Sequence, residues 1–186
     1  MRILVVLCRD PFIHSDGPSY ATRAVLRLLS RNNNVKIVGY GDEFDKQSIG
    51  SYECVGSLPI YYANSRILFI LSLISGRPYT YRKYMQKEAR SLFIRILNCD
   101  NYDLVWFEQL QSSFLVHEMN SCGIKSIRTV IRPHNIESDV ILSKFPHNAL
   151  AGFFLKAESI LLSMYEKRTL NCVDVVAAIT DLDARR

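Results

Sequence analysis

The chain has 186 residues, of which 48% are apolar and 22% are charged, and its formal net charge is +5. With 11% aromatic residues, eight glycines and six prolines, this composition excludes a disordered, collagen-like or disulfide-scaffold protein. A single domain of this length buries about 70% of the surface that its unfolded chain exposes, so we expect one self-sufficient core.

Cysteine usage and apolar runs predict a cytosolic protein. The five cysteines form no C-x-x-C pair, which favours a reducing compartment and indicates neither a zinc site nor a full set of disulfides. The N-terminal apolar run, Ile3–Cys8, is too short for the core of a signal peptide. The longest apolar run, Ile67–Ile74, is far shorter than the roughly 20 residues of a membrane-spanning helix.

The first forty residues predict a βαβ unit. Ile3–Leu7 is a continuous, β-branched-rich apolar run, typical of a strand buried on both faces of a parallel sheet. After the polar loop Asp10–Pro18, apolar residues recur at helical spacing from Ala21 to Leu29. Asparagines at 32–34 end this helix, and Val35–Val38 is the next predicted strand.

Strands and helices continue to alternate along the remaining chain. The further predicted strands are Glu53–Val55, Asp103–Phe107, Ser126–Ile131 and Asp174–Ile179, and the further predicted helices are Ser65–Ser75, Lys83–Asn98, Ser112–Asn120 and Leu150–Leu170. Thr180 and Asp181 are suited to capping another helix. This alternation predicts an α/β fold with a doubly wound, mostly parallel, Rossmann-like sheet and helices on both faces, whose ligands bind outside the carboxyl ends of the strands.

Polar residues follow three of the predicted strands. The loop after the first strand has one glycine, Gly17, instead of G-x-G-x-x-G, which disfavours a dinucleotide-dependent dehydrogenase. Glu108 and Gln109 follow Asp103–Phe107, and the denser cluster Arg132–Glu137 follows Ser126–Ile131. Each of these residues also has a purely structural interpretation: Gly17 could serve only a turn, Glu108 could be a solvated surface charge, and His134 could be a structural histidine at the strand end.

Several short motifs occur in a familiar order: Met1-Arg-Ile-Leu-Val-Val, Ser15-Asp-Gly-Pro, Asn101-Tyr-Asp-Leu-Val, Arg132-Pro-His-Asn-Ile-Glu, Tyr165-Glu166 and Val173-Asp-Val-Val-Ala-Ala-Ile-Thr. Together they resemble the amino-terminal half of GT-B-fold glycosyltransferases, most closely the family 4 group. The resemblance spans essentially the whole chain through motifs that are individually short. It implies a glycosyltransferase of the hexosyltransferase type, active in polysaccharide biosynthesis.

The resemblance implies an acceptor-side domain over residues 1–180, with residues 181–186 beginning the connection to a donor domain that this chain lacks. The implied substrates are a nucleotide-sugar donor and a glycan or lipid-linked acceptor, with no metal and no other cofactor. Because the donor domain supplies most nucleotide contacts in that family, we expect this chain alone to be inactive.

Carried over residue by residue, the resemblance assigns the catalytic role to His134. It also matches Gly17, Pro18 and Asn135 to substrate-facing positions of the family. We add four residues near the same predicted strand ends as candidate substrate-binding residues: Asp16, Tyr20, Glu108 and Arg132. Pro18 stands where the family often has a second glycine, which weakens a phosphate-cradling role for that loop. We expect His134 within reach of the loop that contains Asp16 and Gly17. Asp16, Glu108 and His134 are the candidate bases of an inverting reaction, and a retaining reaction remains open.

Two glutamates, Glu158 and Glu166, have the spacing of a catalytic pair that the family carries in its other half. The sequence between them, however, is continuous amphipathic helix without a glycine or a loop. We therefore interpret both as surface or domain-facing charges.

The segment Arg77–Arg95 carries six cationic residues and one acidic residue, a local net charge equal to that of the whole chain. Tyr79, Tyr81 and Tyr84 are interleaved with these charges. We interpret the segment as a contact for an anionic membrane surface or a lipid-linked acceptor, and a solvated helix face is the plain alternative. Two other functions stay open: a nucleotide-sugar epimerase, and a basic non-catalytic module that binds nucleic acid. The preferred interpretation includes no nucleic acid partner.

Overall fold

A seven-stranded sheet organises the computed structural model, which describes residues 1–44, 47–61, 66–143 and 149–178. In chain order the strands are β1 (Arg2–Leu7), β2 (Asn34–Tyr40), β3 (Ser48–Ile49), β4 (Tyr52–Leu58), β5 (Leu104–Phe107), β6 (Arg128–Ile131) and β7 (Val175–Val176). They lie side by side in the order β3-β4-β2-β1-β5-β6-β7. The short β3 pairs with β4 in an antiparallel direction, and every other neighbouring pair is parallel. The predicted mostly parallel α/β sheet is confirmed.

Helices cover both faces of this sheet: α1 (Gly17–Ser30), α2 (Arg66–Ser75), α3 (Tyr79–Arg82), α4 (Lys87–Cys99), α5 (Phe114–Ser121), α6 (Glu137–Leu142) and α7 (Ala149–Leu170). Because successive strand residues point to opposite faces, Val5 of β1 packs with Leu26 of α1 while Val6 joins a second core built with α4, α5 and α7. This is the predicted doubly wound arrangement. Within the described residues, no helix combines the length and apolar character that crossing a membrane requires.

The strand order reverses at β1, which pairs with β2 on one side and with β5 on the other. At such a switch point, the loops that leave neighbouring strands diverge and open a crevice at their carboxyl ends. The register pairs Val6 of β1 with Phe107 of β5, and Phe107 with Ile131 of β6. The residues that follow these three strands therefore share one edge of the sheet.

Several local details differ between the sequence-based predictions and the structure; for example, the predicted strand Asp174–Ile179 is reduced to Val175–Val176 within the described residues. The predicted helix Lys83–Asn98 begins at Lys87, because Gln86 has an extended backbone and a separate turn, α3, precedes it. Neither α6 nor β3 is predicted from the sequence, since each is too short to show a periodic pattern. The start of the predicted helix at Ser65, the predicted strand end at Ile179, the capping pair Thr180 and Asp181, and the connection 181–186 lie outside the described residues.

The prediction that Glu158 and Glu166 are surface or domain-facing charges is wrong, because each is only 3% exposed. Glu158 accepts hydrogen bonds from the backbone N–H groups of Tyr79 and Thr80, at the start of α3. Glu166 accepts hydrogen bonds from the backbone N–H of Glu137 at the start of α6, and from the hydroxyls of Ser138 and Tyr81. Neither short helix has a cap from its own N-cap side chain, so the two carboxylates satisfy partly buried N-terminal donors that would otherwise lack this acceptor.

Candidate functional site

The carboxylate of Glu108 lies at the centre of a polar cluster immediately after β5. Its side chain is 2% exposed and accepts four hydrogen bonds from residues on three sides. The donors are the Thr22 hydroxyl at 3.0 Å, the Trp106 indole Nε1 at 2.7 Å, the Arg132 guanidinium and the His134 Nε2 at 2.8 Å. Glu108 thus ties α1, β5 and the segment after β6 together at the switch point.

The backbone explains why Arg132 and His134 reach this carboxylate. The N–H of Arg132 donates to the carbonyl of Phe107 at 2.9 Å, so the β5–β6 pairing continues one residue past β6. Pro133 then disfavours a helical conformation at Arg132, which keeps Arg132 extended along the sheet edge. The chain turns after this point, and α6 begins at Glu137.

Opposing effects act on the Glu108 pKa. Burial raises it, while the hydrogen bond from His134, the charge of Arg132 and the hydrogen bond from Trp106 lower it. The lowering effects prevail, so the pKa lies below its ordinary value. Glu108 is therefore ionised near neutral pH, and its carboxylate is already occupied by hydrogen bonds. These properties suit the role of a fixed counterion better than the role of a proton acceptor.

This ionised carboxylate determines the tautomer of His134. A carboxylate only accepts hydrogen bonds, so the Nε2 that lies 2.8 Å from it carries the proton. The guanidinium of Arg132 lies farther from the same nitrogen, at 3.4 Å. The other ring nitrogen, Nδ1, has no hydrogen-bond partner among the residues that the structure describes. A neutral His134 ring therefore holds its lone pair on Nδ1.

A cavity of about 370 Å³ adjoins His134. The segment after β6 lines one side of it, with Pro133, Asn135 and Ile136, and α6 and α7 line the other side, with Ser138 and Ser163. This volume falls in the range of small-molecule sites. Asn135 is exposed at the cavity wall, so its amide is available to a ligand there.

The predicted site residues in the loop after β1 and at the start of α1 make contacts outside the Glu108 cluster. Asp16 caps α1 by accepting from the Ser19 N–H at 2.9 Å and also pairs with Arg9 at 2.8 Å. These interactions, led by the hydrogen bonds from Ser19, lower the Asp16 pKa to about 2. The Tyr20 ring is 61% exposed and lies 4.4 Å from the Arg23 guanidinium.

Gly17 and Pro18 are exposed on the same loop. A side chain at Gly17 would meet no atom within 4 Å, so open space surrounds this position. None of the hydrogen bonds that Glu108 accepts comes from Asp16, Gly17, Pro18 or Tyr20. The structure brings together Glu108, Arg132 and His134, and α1 reaches them through Thr22 instead.

Two residues of the site escape sequence reasoning, and the backbone strain at a third, Gln109, is not visible in the sequence. Thr22 is 86 positions from Glu108 and carries no local signal. Trp106 precedes Glu108 by two positions, so their shared side of the strand is the one hint that the sequence offers. Gln109 has a φ of 141°, a backbone region that is essentially reserved for glycine and is found where a site stores strain.

Within the described ranges, no three His, Cys, Asp or Glu side chains are grouped so as to hold a metal ion. No protein-family model matches the chain, and no curated protein matches it either. Conclusions about function therefore rest on the fold, on the residues at its switch point and on the sequence motifs.

Proposed function

We propose that this chain is the acceptor-side domain of a GT-B-like glycosyltransferase and that His134, oriented by Glu108, deprotonates the acceptor hydroxyl. The observation that carries the proposal is the 2.8 Å contact between His134 Nε2 and the Glu108 carboxylate, which leaves Nδ1 as the ring nitrogen without a described partner, on a residue that lines a cavity. The motif order and the doubly wound fold support the same family. A cytosolic location, where soluble nucleotide-sugars are found, is part of the proposal.

Of the three candidate bases, His134 fits the role best. Asp16 has a pKa of about 2 and is therefore a very weak base near neutral pH. Glu108 is buried, has a lowered pKa and already accepts four hydrogen bonds. His134 alone combines an unoccupied basic nitrogen with a place on the cavity wall, as a general base requires.

The proposed step balances as an inverting displacement. The proton of the acceptor hydroxyl moves to Nδ1 of His134 as the oxygen forms a bond to the anomeric carbon of the donor sugar. The bond from that carbon to the nucleoside diphosphate breaks, and the diphosphate leaves with the bonding electron pair. The Glu108 carboxylate stabilises the imidazolium that forms, as buried acids do beside catalytic histidines.

The other residues of the cluster have supporting roles in this proposal. Arg132 is a positioning residue, because its guanidinium fixes the Glu108 carboxylate. Asn135 would hydrogen-bond a hydroxyl of the acceptor. Asp16, Gly17, Pro18 and Tyr20 would border the acceptor or donor from the side of α1. The nucleotide would bind mainly to a second domain, so catalysis belongs to a two-domain protein.

The experiment is a product assay with the full-length polypeptide that contains this domain. Uridine and guanosine diphosphate sugars are supplied with and without candidate glycan acceptors, and the nucleoside diphosphate and sugar products are measured. We expect nucleoside diphosphate release that depends on the acceptor. Acceptor-independent formation of an epimeric nucleotide-sugar would instead support the epimerase, and absence of both products across donors would contradict both enzymes.

A further inference from the structure

A second cavity, of about 470 Å³, lies away from Glu108 on the helical layer built from α4, α5 and α7. Four cationic residues line it, and the one acidic residue on its wall, Glu118, is already paired at 2.8 Å with Arg90. The lining cations are Arg77, Lys87, Arg90 and Arg168. Burial and the charge of Arg168 lower the pKa of the lining His117, so that ring is neutral at pH 7. The cavity therefore carries a net charge of four minus one, or +3.

Three of these cations form no ion pair with any residue that the structure describes. Across the described ranges, Arg77, Lys87 and Arg168 take part in no ion pair, and all three are exposed. Like charges that converge on one cavity repel each other, and that repulsion is relieved when an anion binds. The net charge of +3 at this cavity is more than half of the formal net charge of +5 of the whole chain.

The start of α4 adds to this positive potential. Its N-cap residue, Gln86, lines the cavity but makes no side-chain cap, because its amide nitrogen donates instead to the carbonyls of Arg82 and Lys83. Glu88, the acidic residue of the first turn, does not line the cavity. The positive end of a 13-residue helix therefore lies beside the lining cations.

The structure also divides the basic segment Arg77–Arg95 instead of presenting it as one continuous stripe. Arg82 donates to the Ser72 hydroxyl at 3.1 Å, and the Lys83 amine lies 4.9 Å from the Tyr84 ring centre. Tyr81 and Tyr84 are buried in the core. Of the four other cations, Arg77, Lys87 and Arg90 line the cavity and Arg95 does not, and Arg168 of the distant α7 joins the three that do. The positive charge is thus concentrated in a cavity. A cavity of this kind is better suited to binding a compact anion than to lying against a flat anionic surface.

We propose that this cavity binds a phosphate or pyrophosphate group. Arginine guanidinium groups bind phosphate oxygens in pairs, and a lysine amine adds a point charge. The aromatic rings of Phe114 and Tyr165 on the cavity wall offer an apolar surface to the organic part of the ligand. The inference does not depend on the proposed transfer reaction, because none of these residues belongs to the Glu108 cluster.

The test is calorimetric titration of the chain with inorganic pyrophosphate at low and physiological salt. The variant K87Q/R168Q removes two lining charges. Its matched control, R27Q/R31Q, removes two exposed charges at the C-terminal end of α1, on the opposite face of the sheet: Arg27 in its last turn and Arg31, its C-cap residue. We expect the cavity variant to weaken binding at least about tenfold, the loss expected when charge-assisted hydrogen bonds are removed. The control is expected to change it by less than about twofold. Circular dichroism establishes that both variants fold.

Vesicles distinguish the two sources of such a group. Phosphatidylcholine vesicles with and without phosphatidic acid are floated with the chain in the presence and absence of pyrophosphate. If the chain binds phosphatidic acid vesicles, and if both pyrophosphate and the variant K87Q/R168Q abolish that binding, the cavity binds a lipid headgroup. If the chain binds pyrophosphate but no vesicles, the cavity binds a soluble ligand. Absence of pyrophosphate binding, an equal loss in R27Q/R31Q, or vesicle binding that pyrophosphate leaves intact would overturn the proposal.

Discussion

Nε2 of His134 lies 2.8 Å from Oε1 of Glu108, across the carboxyl ends of two neighbouring parallel strands. The same oxygen accepts from the Thr22 hydroxyl and from the Arg132 guanidinium. One buried carboxylate therefore fixes both the orientation and the tautomer of the imidazole, and it also couples α1 to the site. In the proposed reaction, the stability of the fold and the chemistry would therefore depend on the same group.

Replacing Glu108 with glutamine is expected to destabilise the fold by about 3 kcal/mol, because it leaves the largely buried Arg132 guanidinium without its counterion. Urea denaturation followed by fluorescence of Trp106, the single tryptophan, measures the change directly at the site. Glu88→Gln removes an exposed carboxylate and is expected to change the unfolding free energy by less than about 0.5 kcal/mol. Equal stability of the two variants would contradict the described role of Glu108.

Two buried glutamates are expected to give opposite pH dependences. The pKa of Glu108 is lowered below 4.5 in the folded state, so its stabilising contribution is present above 4.5 and is lost as the pH falls through the folded value. The pKa of Glu166 is raised above 4.5, chiefly by burial. Its contribution is therefore present below 4.5 and is lost as the pH rises through the folded value.

Unfolding free energies of the Glu108→Gln and Glu166→Gln variants, measured from pH 3 to 8, test these signs. We expect the difference in unfolding free energy between Glu108→Gln and the unsubstituted chain to become smaller at acid pH. As the pH rises, we expect the unfolding free energy of Glu166→Gln to fall by less than that of the unsubstituted chain. Parallel curves for all three proteins would contradict both assignments.

Gln109→Gly is expected to raise stability by about 1 kcal/mol, because glycine tolerates the φ of 141° that glutamine adopts at a cost. Gln109→Ala is the matched variant, since it removes the side chain but keeps the backbone penalty. Thermal unfolding of both proteins separates the two effects. A gain in the alanine variant equal to that of the glycine variant would show that the strain lies elsewhere.

Glu158→Ala is expected to cost about 2 kcal/mol, because the N–H groups of Tyr79 and Thr80 lose their acceptor in a partly buried place. Lys156→Ala, an exposed position on the same helix, provides the comparison and is expected to be nearly neutral. Urea midpoints of the two variants decide the matter. If both substitutions lower the unfolding free energy by a similar, small amount, Glu158 does not stabilise the start of α3 and behaves as a surface charge.

Sequence patterns predict the strands well where burial alone dictates residue type. β1 and β5 are short apolar runs, and the residues that follow such runs reach a common sheet edge for topological reasons. This is why Glu108 and His134 are identifiable as candidates without a structure. The same reasoning does not predict that their side chains meet, since strand pairing and register depend on the whole sheet.

Long-range capping is the part of the fold that local patterns do not contain. A glutamate in an amphipathic helix is usually solvated, and only the tertiary structure shows that Glu158 and Glu166 satisfy the ends of α3 and α6. Thr22 is similar, because a threonine in the first turns of a helix is ordinary until its partner is known. The turn α3, which separates Lys83 from the start of α4, is likewise bound at its first residues by Glu158 of α7, a contact that no local pattern contains.

Turnover by the full-length polypeptide carrying His134→Ala, measured together with its melting temperature, tests the catalytic role of His134 most directly. Positioned acid and base groups contribute about a hundredfold or more, so we expect transfer to fall at least tenfold while the melting temperature stays close to that of the unsubstituted protein. His14→Ala, an exposed histidine, is the matched control and should retain activity. Normal turnover per folded molecule in His134→Ala, accompanied by a large drop in melting temperature, would instead show that His134 is a structural residue.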